Sequence, residues 1–317
     1  MGGAGFIGAH LVQRLLDTTP AEVVVYDNFS TGRRWPFEDK AGERRLNIIE
    51  ADAADLERLV TAMSGCDAVY HLAANSDIAR AAAEPGIDFW NGHYLTHNAL
   101  EAMRQCDCRR ILFASGSGVY GDVPPILLPE DYPHLIPIST YGASKLASES
   151  LISAYSHLFG IKGTVLRFAN VVGPHQTHGV AYDFIRRLLR DPKRLLIYGD
   201  GQQSKPYIFI SDVLDAFQMQ ERKQTLPYDV FNVGTMDYLT VAQIAEIVVR
   251  KMGLENVAFE YTGGARGWKA DVPVYRLKTD KVRQTGWQST LTSRQAVEAA
   301  VEAMLEDARQ GRIKPAA

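Results

Sequence analysis

Tyr141 and Lys145 stand four residues apart in the run Tyr141-Gly142-Ala143-Ser144-Lys145. On a helix that spacing puts a phenol and an ammonium on one face. A phenol of pKa ~10 is a poor base near neutral pH, and a neighbouring cation favours its phenolate, so the pair is a candidate proton acceptor for a hydroxyl. Spacing alone decides little in a chain with 14 tyrosines. A second signal opens the chain, where Gly2-Gly3-Ala4-Gly5-Phe6-Ile7-Gly8 runs into the helical pattern Gly8-Ala9-His10-Leu11-Val12. Such a loop lets backbone N–H groups and a helix N-terminus approach a pyrophosphate closely. Beyond it, Asp27 ends the apolar run Val23-Val24-Val25-Tyr26, where a carboxylate accepts hydrogen bonds from adenosine ribose hydroxyls. The alternative for Asp27 is an ordinary turn residue at a strand end. Arg33 and Arg34 could receive a 2′-phosphate, but the Asp27 carboxylate repels one, which favours NAD over NADP.

These residues need a frame. Through the first half, apolar runs too short for helices alternate with stretches of helical period, the pattern of βαβ units feeding a parallel sheet. Strands are expected at 22–27, 46–50, 68–72, 110–115 and 163–168, with helices at about 8–17, 55–63, 89–104 and 141–159. Tyr141 then opens a helix after a strand and a Pro-rich loop, at the sheet edge where carboxyl ends of parallel strands meet ligands. Past residue 168 the pattern loosens into a Gly-, Pro- and His-containing loop, a basic helix near 181–190, short strands near 195–198, 207–209 and 230–233, and helices near 240–252 and 292–309. The expected fold class is α/β: a Rossmann-type doubly wound parallel sheet over 1–169, with returning segments near 207–234, and a smaller C-terminal α/β substrate domain over 170–317. The glycine loop normally follows a strand. Only Met1 precedes it, so that first strand is missing from the sequence as given and is expected upstream of Met1 in a longer chain.

Composition narrows the class. Apolar residues make up 46% and charged residues 22% of 317, the mix of a globular protein with ample core. A formal charge of −3 with scattered basic residues gives no footprint for a nucleic-acid backbone. No run approaches a membrane span, and no leader-like segment opens the chain. Cys66, Cys106 and Cys108 are odd in number and lack zinc spacing, so reduced thiols in a cytoplasmic protein are expected, with no metal.

Further motifs stand in order: Asp52-Ala53, His71-Leu72-Ala73-Ala74, Ala114-Ser115-Gly116-Ser117-Gly118-Val119-Tyr120-Gly121, Arg167-Phe168-Ala169-Asn170-Val171-Val172-Gly173-Pro174, Gly199-Asp200-Gly201-Gln202-Gln203, Phe231-Asn232-Val233-Gly234 and Gly286-Trp287. With these the chain resembles the extended short-chain dehydrogenase/reductases, and within them the NAD-dependent sugar-nucleotide epimerases and dehydratases. The resemblance implies NAD as cofactor, with Gly2, Gly5, Phe6, Ile7 and Gly8 at the pyrophosphate. Asp27 and Asn28 would hold the ribose, Asp52 and Ala53 the adenine edge, and Leu72, Ala73 and Ala74 a strand end without bulk against the cofactor. It gives Tyr141 the base, Lys145 the nicotinamide ribose and the task of acidifying Tyr141, and Asn170 a substrate phosphate. Lys205, Arg266, Lys269 and Arg276 are cations that could neutralise a diphosphate, although each is also an ordinary surface charge. Helices 89–104 and 141–159 resemble the pair through which this family forms homodimers.

One departure falls in the catalytic segment. Four residues before Tyr120, where relatives place a catalytic Ser or Thr, stands Gly116, with hydroxyls at Ser115 and Ser117 on either side. A flexible Gly-Ser-Gly turn could present Ser117 to a sugar hydroxyl, or both serines could bond only the turn. Gly92, with Asn91 beside it, replaces another usual Asn. His71 reads as a buried strand-end histidine with a satisfied ring, and His175 and His178 lack a third ligand. The favoured function is a UDP-hexose 4-epimerase acting through a transient keto-sugar. A 4,6-dehydratase or decarboxylase is the alternative, disfavoured because Ser117 and Gly118 stand where those relatives carry acids. A non-catalytic NAD-binding regulator is the alternative of another class. Gly116 and the absent strand favour it; Tyr141 and Lys145 oppose it.

Overall fold

The Val-rich run at Val23–Asp27 (β1) lies parallel to Leu46–Glu50 (β2), with Val23 opposite Leu46 and Asp27 opposite Glu50. These strands come from a computed structural model that describes residues 1–316. The chain clusters into two units, the first made of Met1–Val119, Thr140–Arg167 and Leu214–Phe231, the second of Tyr120–Ser139, Phe168–Val213 and the chain from Asn232 onward. The expected boundary lies near residue 170, with returning segments near 207–234, and the two units differ from it in detail. Residues 120–139 cluster with the second unit, and the return to the first is 214–231.

In the first unit, Val69–His71 (β3), Arg110–Gly116 (β4), Lys162–Phe168 (β5) and Tyr228–Val233 (β6) form a sheet in the order β6-β5-β4-β3. β3 and β4 are parallel, Val69 opposite Ile111. Met1 and Gly2 lie between β1 and β3: the Met1 amine donates to the Tyr70 carbonyl, Leu72 N–H donates to the Met1 carbonyl, and Gly2 N–H donates to the Tyr26 carbonyl. Helix α1 (Phe6–Thr18) turns Ala9, Leu11, Val12 and Leu16 inward at helical spacing, and part of that face packs with Val25 and Phe37. Asp55 caps α2 (Leu56–Met63) by accepting from Arg58 N–H. A π-helical turn over Phe89–His93 leads into α3 (Tyr94–Cys106), which ends at Asp107 in the left-handed region, φ 61°. Leu59, Leu100, Met103, Ile111, Phe113 and Ile152 belong to the core beneath.

Helix α4 (Thr140–Phe159) departs from the apolar rule. Its buried face includes Ser144, Lys145, Ser148 and Glu149, and becomes apolar only with Ile152 and Tyr155. Each buried polar side chain has a partner, as burial demands. The helix α5 (Ile210–Lys223) completes the elements that contribute to this unit.

The second unit has its own core, around Phe184, Ile185, Leu195, Ile197, Ile244, Val248, Val297 and Met304. The helices Val241–Lys251 and Ser293–Arg309 each begin with a reciprocal capping box, Thr240 with Gln243 and Thr292 with Gln295. Asn170–Val172 pairs in parallel with Tyr207–Phe209, and Ser204–Lys205 pairs antiparallel with Leu239–Thr240. Among the described residues no helix is long and apolar enough to cross a membrane. Cys66, Cys106 and Cys108 are free thiols.

Candidate active site

The glycine loop is tight where it turns and open where a ligand would sit. A Cβ on Gly8 would lie 2.3 Å from the Gly2 carbonyl oxygen, and one on Gly2, at φ +70°, would lie 2.6 Å from Ala73 N. Backbone meets backbone at both positions, so only glycine fits. Gly5 is the N-cap of α1, supplies no side-chain cap, and is followed by no acid in the first turn. The N–H groups of Phe6, Ile7 and Gly8 therefore remain for an anion, and a pyrophosphate suits them. Leu72, Ala73 and Ala74 follow β3 directly, with Ala73 against Gly2.

Asp27 is buried at the end of β1, its Oδ2 accepting Ala4 N–H at 2.9 Å and its Oδ1 accepting Phe29 N–H at 2.8 Å. It ties the glycine loop to the turn after β1, as the ordinary turn reading required, and each oxygen keeps lone-pair capacity for a hydroxyl. Asn28 donates to Asp52 Oδ2 at 3.0 Å, and the Ala53 carbonyl accepts from Asn98, so these residues share one edge. Arg34 is paired with Glu50 and stacked 4.1 Å over Phe29, and Arg33 donates to the Thr31 carbonyl. Neither arginine bonds Asp27, so the carboxylate keeps the charge that repels a 2′-phosphate.

Tyr141 lies in the first turn of α4, half-buried, with Lys145 one turn on. Lys145 Nζ donates to the Ala114 carbonyl at 2.7 Å and lies 5.6 Å from the centre of the Tyr141 ring. Burial pushes the phenol up to about 12, Asp88 adding to the effect, and pushes the lysine down to about 8 against Glu149 and Asp88. In the chain by itself, burial and the Asp88 carboxylate thus both disfavour the phenolate. His71 is fully buried, held well below its ordinary value by burial and then by Lys145. Its Nε2 meets Thr96 Oγ1 at 3.0 Å while Nδ1 has no partner, so the ring is only half satisfied, contrary to the sequence reading.

The two serines separate cleanly. Ser115 is buried and gives its hydroxyl to Glu149 Oε1 at 2.5 Å, while Glu149 is gripped by Arg167 through Nε and a terminal nitrogen. A hydroxyl so committed has no proton left to give a substrate, which leaves Ser117 the better placed of the two. Ser117 begins a 3-10 turn after β4, is partly exposed, and makes no side-chain hydrogen bond among the described residues. Gly118 follows it, where an added Cβ would stand 3.5 Å from Gly142 Cα and 3.9 Å from Tyr141 Cδ1. The turn is therefore packed against the base of Tyr141.

In the second unit, Lys205 pairs with Asp271 at 2.7 Å, and Arg266 donates to the Asp271 carbonyl and to Asp122. Arg276 donates to the Ser204 carbonyl and hydroxyl and stacks 3.7 Å over Tyr238. Asn170 opens the strand Asn170–Val172, opposite Tyr207. Lys205, Arg266 and Arg276 are thus gathered about Ser204–Lys205 and Asp271, but none is an uncommitted surface charge. Lys269, also proposed as a cation, is in none of these bonds. His175 is held by Asp307, Nδ1 to Oδ1 at 3.0 Å.

Sequence reading passed over Asp88. Its carboxylate accepts from Thr140 at 2.6 Å and Asn75 at 2.9 Å, and its carbonyl accepts from Ser144 at 2.7 Å. An acid just before a helix reads as an ordinary cap, and nothing local sets it apart.

The profile of the NAD dependent epimerase/dehydratase family matches residues 1–234, and the chain belongs to that family. It is an NAD-dependent enzyme of the epimerase/dehydratase class. A UDP-glucose 4-epimerase from Mycolicibacterium smegmatis is 30% identical over 309 residues, covering 95% of this chain and 96% of its own. A crystal structure of a UDP-galactose 4-epimerase is 36% identical, with a TM-score of 0.85 over 96% of this chain and 97% of its own. A double mutant of the dTDP-glucose 4,6-dehydratase of Streptomyces venezuelae, with NAD bound, is 25% identical, with a TM-score of 0.89 over 98% and 97%.

Proposed function

We propose that the chain is a sugar-nucleotide epimerase of the UDP-hexose 4-epimerase type. One observation carries this reading: the turn packed against Tyr141 offers a single unbonded hydroxyl, Ser117, beside the bare Gly118. Tyr141 takes the proton of the sugar hydroxyl as the carbon beneath it is oxidised to a ketone, and returns that proton when the ketone is reduced from its other face. Ser117 hydrogen-bonds the same oxygen. Lys145 keeps positive charge beneath the Tyr141 ring and so lowers the cost of the phenolate. When bound, the nicotinamide cofactor would supply the hydride acceptor and, in its reduced form, the returning donor, and the positive ring of its oxidised form would favour the phenolate. Gly2, Gly5, Phe6, Ile7 and Gly8 would hold its pyrophosphate, Asp27 and Asn28 its ribose, and Asp52 and Ala53 its adenine edge, with Leu72, Ala73 and Ala74 alongside.

Dehydration after the same oxidation needs an acid for the leaving hydroxyl and a base for the C5 proton. Ser117 and Gly118 offer neither, and the carboxylates that act on Tyr141 and Lys145 are engaged, Asp88 with Thr140 and Asn75, Glu149 with Ser115 and Arg167. The near-identical fold of a dehydratase keeps that second reading open to test. Asn170, Lys205, Arg266 and Arg276 are assigned to the substrate diphosphate, exchanging their present partners for phosphate oxygens. A homodimer is supported by exposed Phe89 and Trp90 and by the exposed small face Ala143, Ala147, Ser150 and Ala154 of α4, which permits close helix approach. Three free thiols fit a reducing cytoplasm.

Incubation with UDP-, dTDP-, GDP- and ADP-hexoses, followed by separation and mass spectrometry, tests the reading. The expected product has the mass of its substrate. A product lighter by one water or by carbon dioxide refutes it. Tyr141→Phe is expected to lower turnover at least ~10²-fold with cofactor binding retained.

A further inference from the structure

Three segments of the first unit meet at one buried carboxyl group. Asp88 is 2% exposed. Its Oδ1 accepts from Asn75, in the loop just beyond Ala73 and Ala74, and its Oδ2 accepts from Thr140, the residue before Tyr141. Its backbone carbonyl accepts from Ser144, the residue before Lys145. Thr140 and Ser144 are one turn apart on α4, so a single residue grips the helix immediately ahead of both reactive side chains. Room for this grip depends on Gly92: a Cβ there would stand 2.3 Å from Ser144 Oγ.

We propose that Asp88 is a positioning residue for the reaction, locking the first turn of α4 to the loop that follows β3 and so setting the place of the Tyr141 phenol. The inference rests on Tyr141 as the base. The charged and titratable groups that face the pair are Asp88 on Tyr141, with Lys145 Nζ 5.6 Å from its ring centre, and Glu149 of α4, Asp88 and His71 of β3 on Lys145; β4 and the turn after it contribute Ser115 and Ser117, which are uncharged. Asp88 thus has two effects. Its geometry aids the base, and its charge makes the base harder to ionise while helping Lys145 to stay protonated.

Asp88→Asn separates them, because an amide keeps the shape: its oxygen still accepts from Asn75, and its nitrogen can donate to Thr140 Oγ1, which also accepts. The acid limb of kcat/KM is expected to move down by about one pH unit, with the alkaline limb moving the same way. A carboxylate too far from the pair to set the place of the phenol would move neither limb, whatever its loss did to the melting temperature. Thr140→Val tests the grip with the charge left in place, and keeps the proposal falsifiable if Asp88→Asn does not fold. It is expected to lower kcat about tenfold, with NAD⁺ binding and substrate KM within twofold, since displacing a base slows the step without loosening binding. An acid limb in Asp88→Asn that stays or rises, or a wild-type kcat in Thr140→Val, overturns the proposal. Tyr141→Phe, assayed alongside, reports on the base itself: full activity there would sink the parent reading, while its loss beside an unmoved Asp88→Asn profile would sink this inference alone.

Discussion

The hydroxyl of Ser115 is bonded to the carboxylate of Glu149, one helical turn beyond Lys145, and Arg167 closes the group from β5. Serine and glutamate lie 34 residues apart in sequence, and their contact fixes the carboxyl end of β4 against α4. The next turn can then present Ser117 from a rigid base.

Two serines two residues apart should therefore fail differently. Ser115→Ala is expected to lower stability by about 1–2 kcal/mol, since it strips one bond from a buried carboxylate, with kcat close to wild type. Ser117→Ala is expected to leave the melting temperature unchanged and to lower kcat ~10–100-fold. Melting curves and steady-state kinetics on both variants decide it, and a reversed ranking would return the catalytic role to Ser115.

Burial of Lys145 carries a cost in stability. With its ammonium pushed down to about 8, the folded chain binds this proton less well than the unfolded chain does. Below pH 8 the penalty is fully present; as pH climbs from about 8 toward the ordinary lysine value of 10.5, it is progressively relieved. Lys145→Met removes roughly 3 kcal/mol of penalty and gives up about 1 for the bond to the Ala114 carbonyl. The variant is expected to be inactive yet more stable by about 2 kcal/mol at pH 7, the difference shrinking above pH 8. Denaturant melts between pH 6 and 10 measure this, and a variant less stable at pH 7 would contradict it.

Gly8→Val should abolish NAD(H) binding, because the new Cβ meets the Gly2 carbonyl at a backbone distance no side-chain rotation can relieve. Calorimetric titration with NADH checks this. Undiminished affinity would mean that the loop can open without loss.

Light scattering is expected to give a particle of twice 35.1 kDa, and Ala147→Arg, on the small-residue face of α4, is expected to return it to a single chain. A wild-type monomer at micromolar concentration would refute the α3–α4 pairing.

Much of the first unit was legible because its strands and helices obey simple periods. The strands at 23–27 and 110–116 read as short apolar runs, and α3 reads from its helical spacing, whereas α4 is placed by its Pro-rich approach more than by its polar buried face. α5 escaped the reading although Ile210, Val213, Leu214 and Phe217 follow helical spacing, because fully buried Asp212 and Gln220 interrupt the apolar stripe. Two-residue pairings such as Ser204–Lys205 with Leu239–Thr240 are too short for any period to register. In the site, Tyr141 and Lys145 are read from their place at the start of a helix that follows a strand and a Pro-rich loop, whereas the choice between Ser115 and Ser117 depends on Glu149, which only the folded chain brings near. Asp88 is hidden for the same reason: its partners Asn75, Thr140 and Ser144 come from both sides of it in sequence.

The π-helical turn at Phe89–His93 carries one residue more than an α-helix of the same span needs. Deleting Asn91 would let the turn relax to ordinary α winding, and everything ahead of it would rotate about 100° around the axis of α3. Asp88 would leave Thr140 and face another way, although no residue of the site itself had changed. A length change of one at this surface turn is thus a change of phase, and chains that share all the reactive residues but lack the spare one would hold a differently aimed phenol.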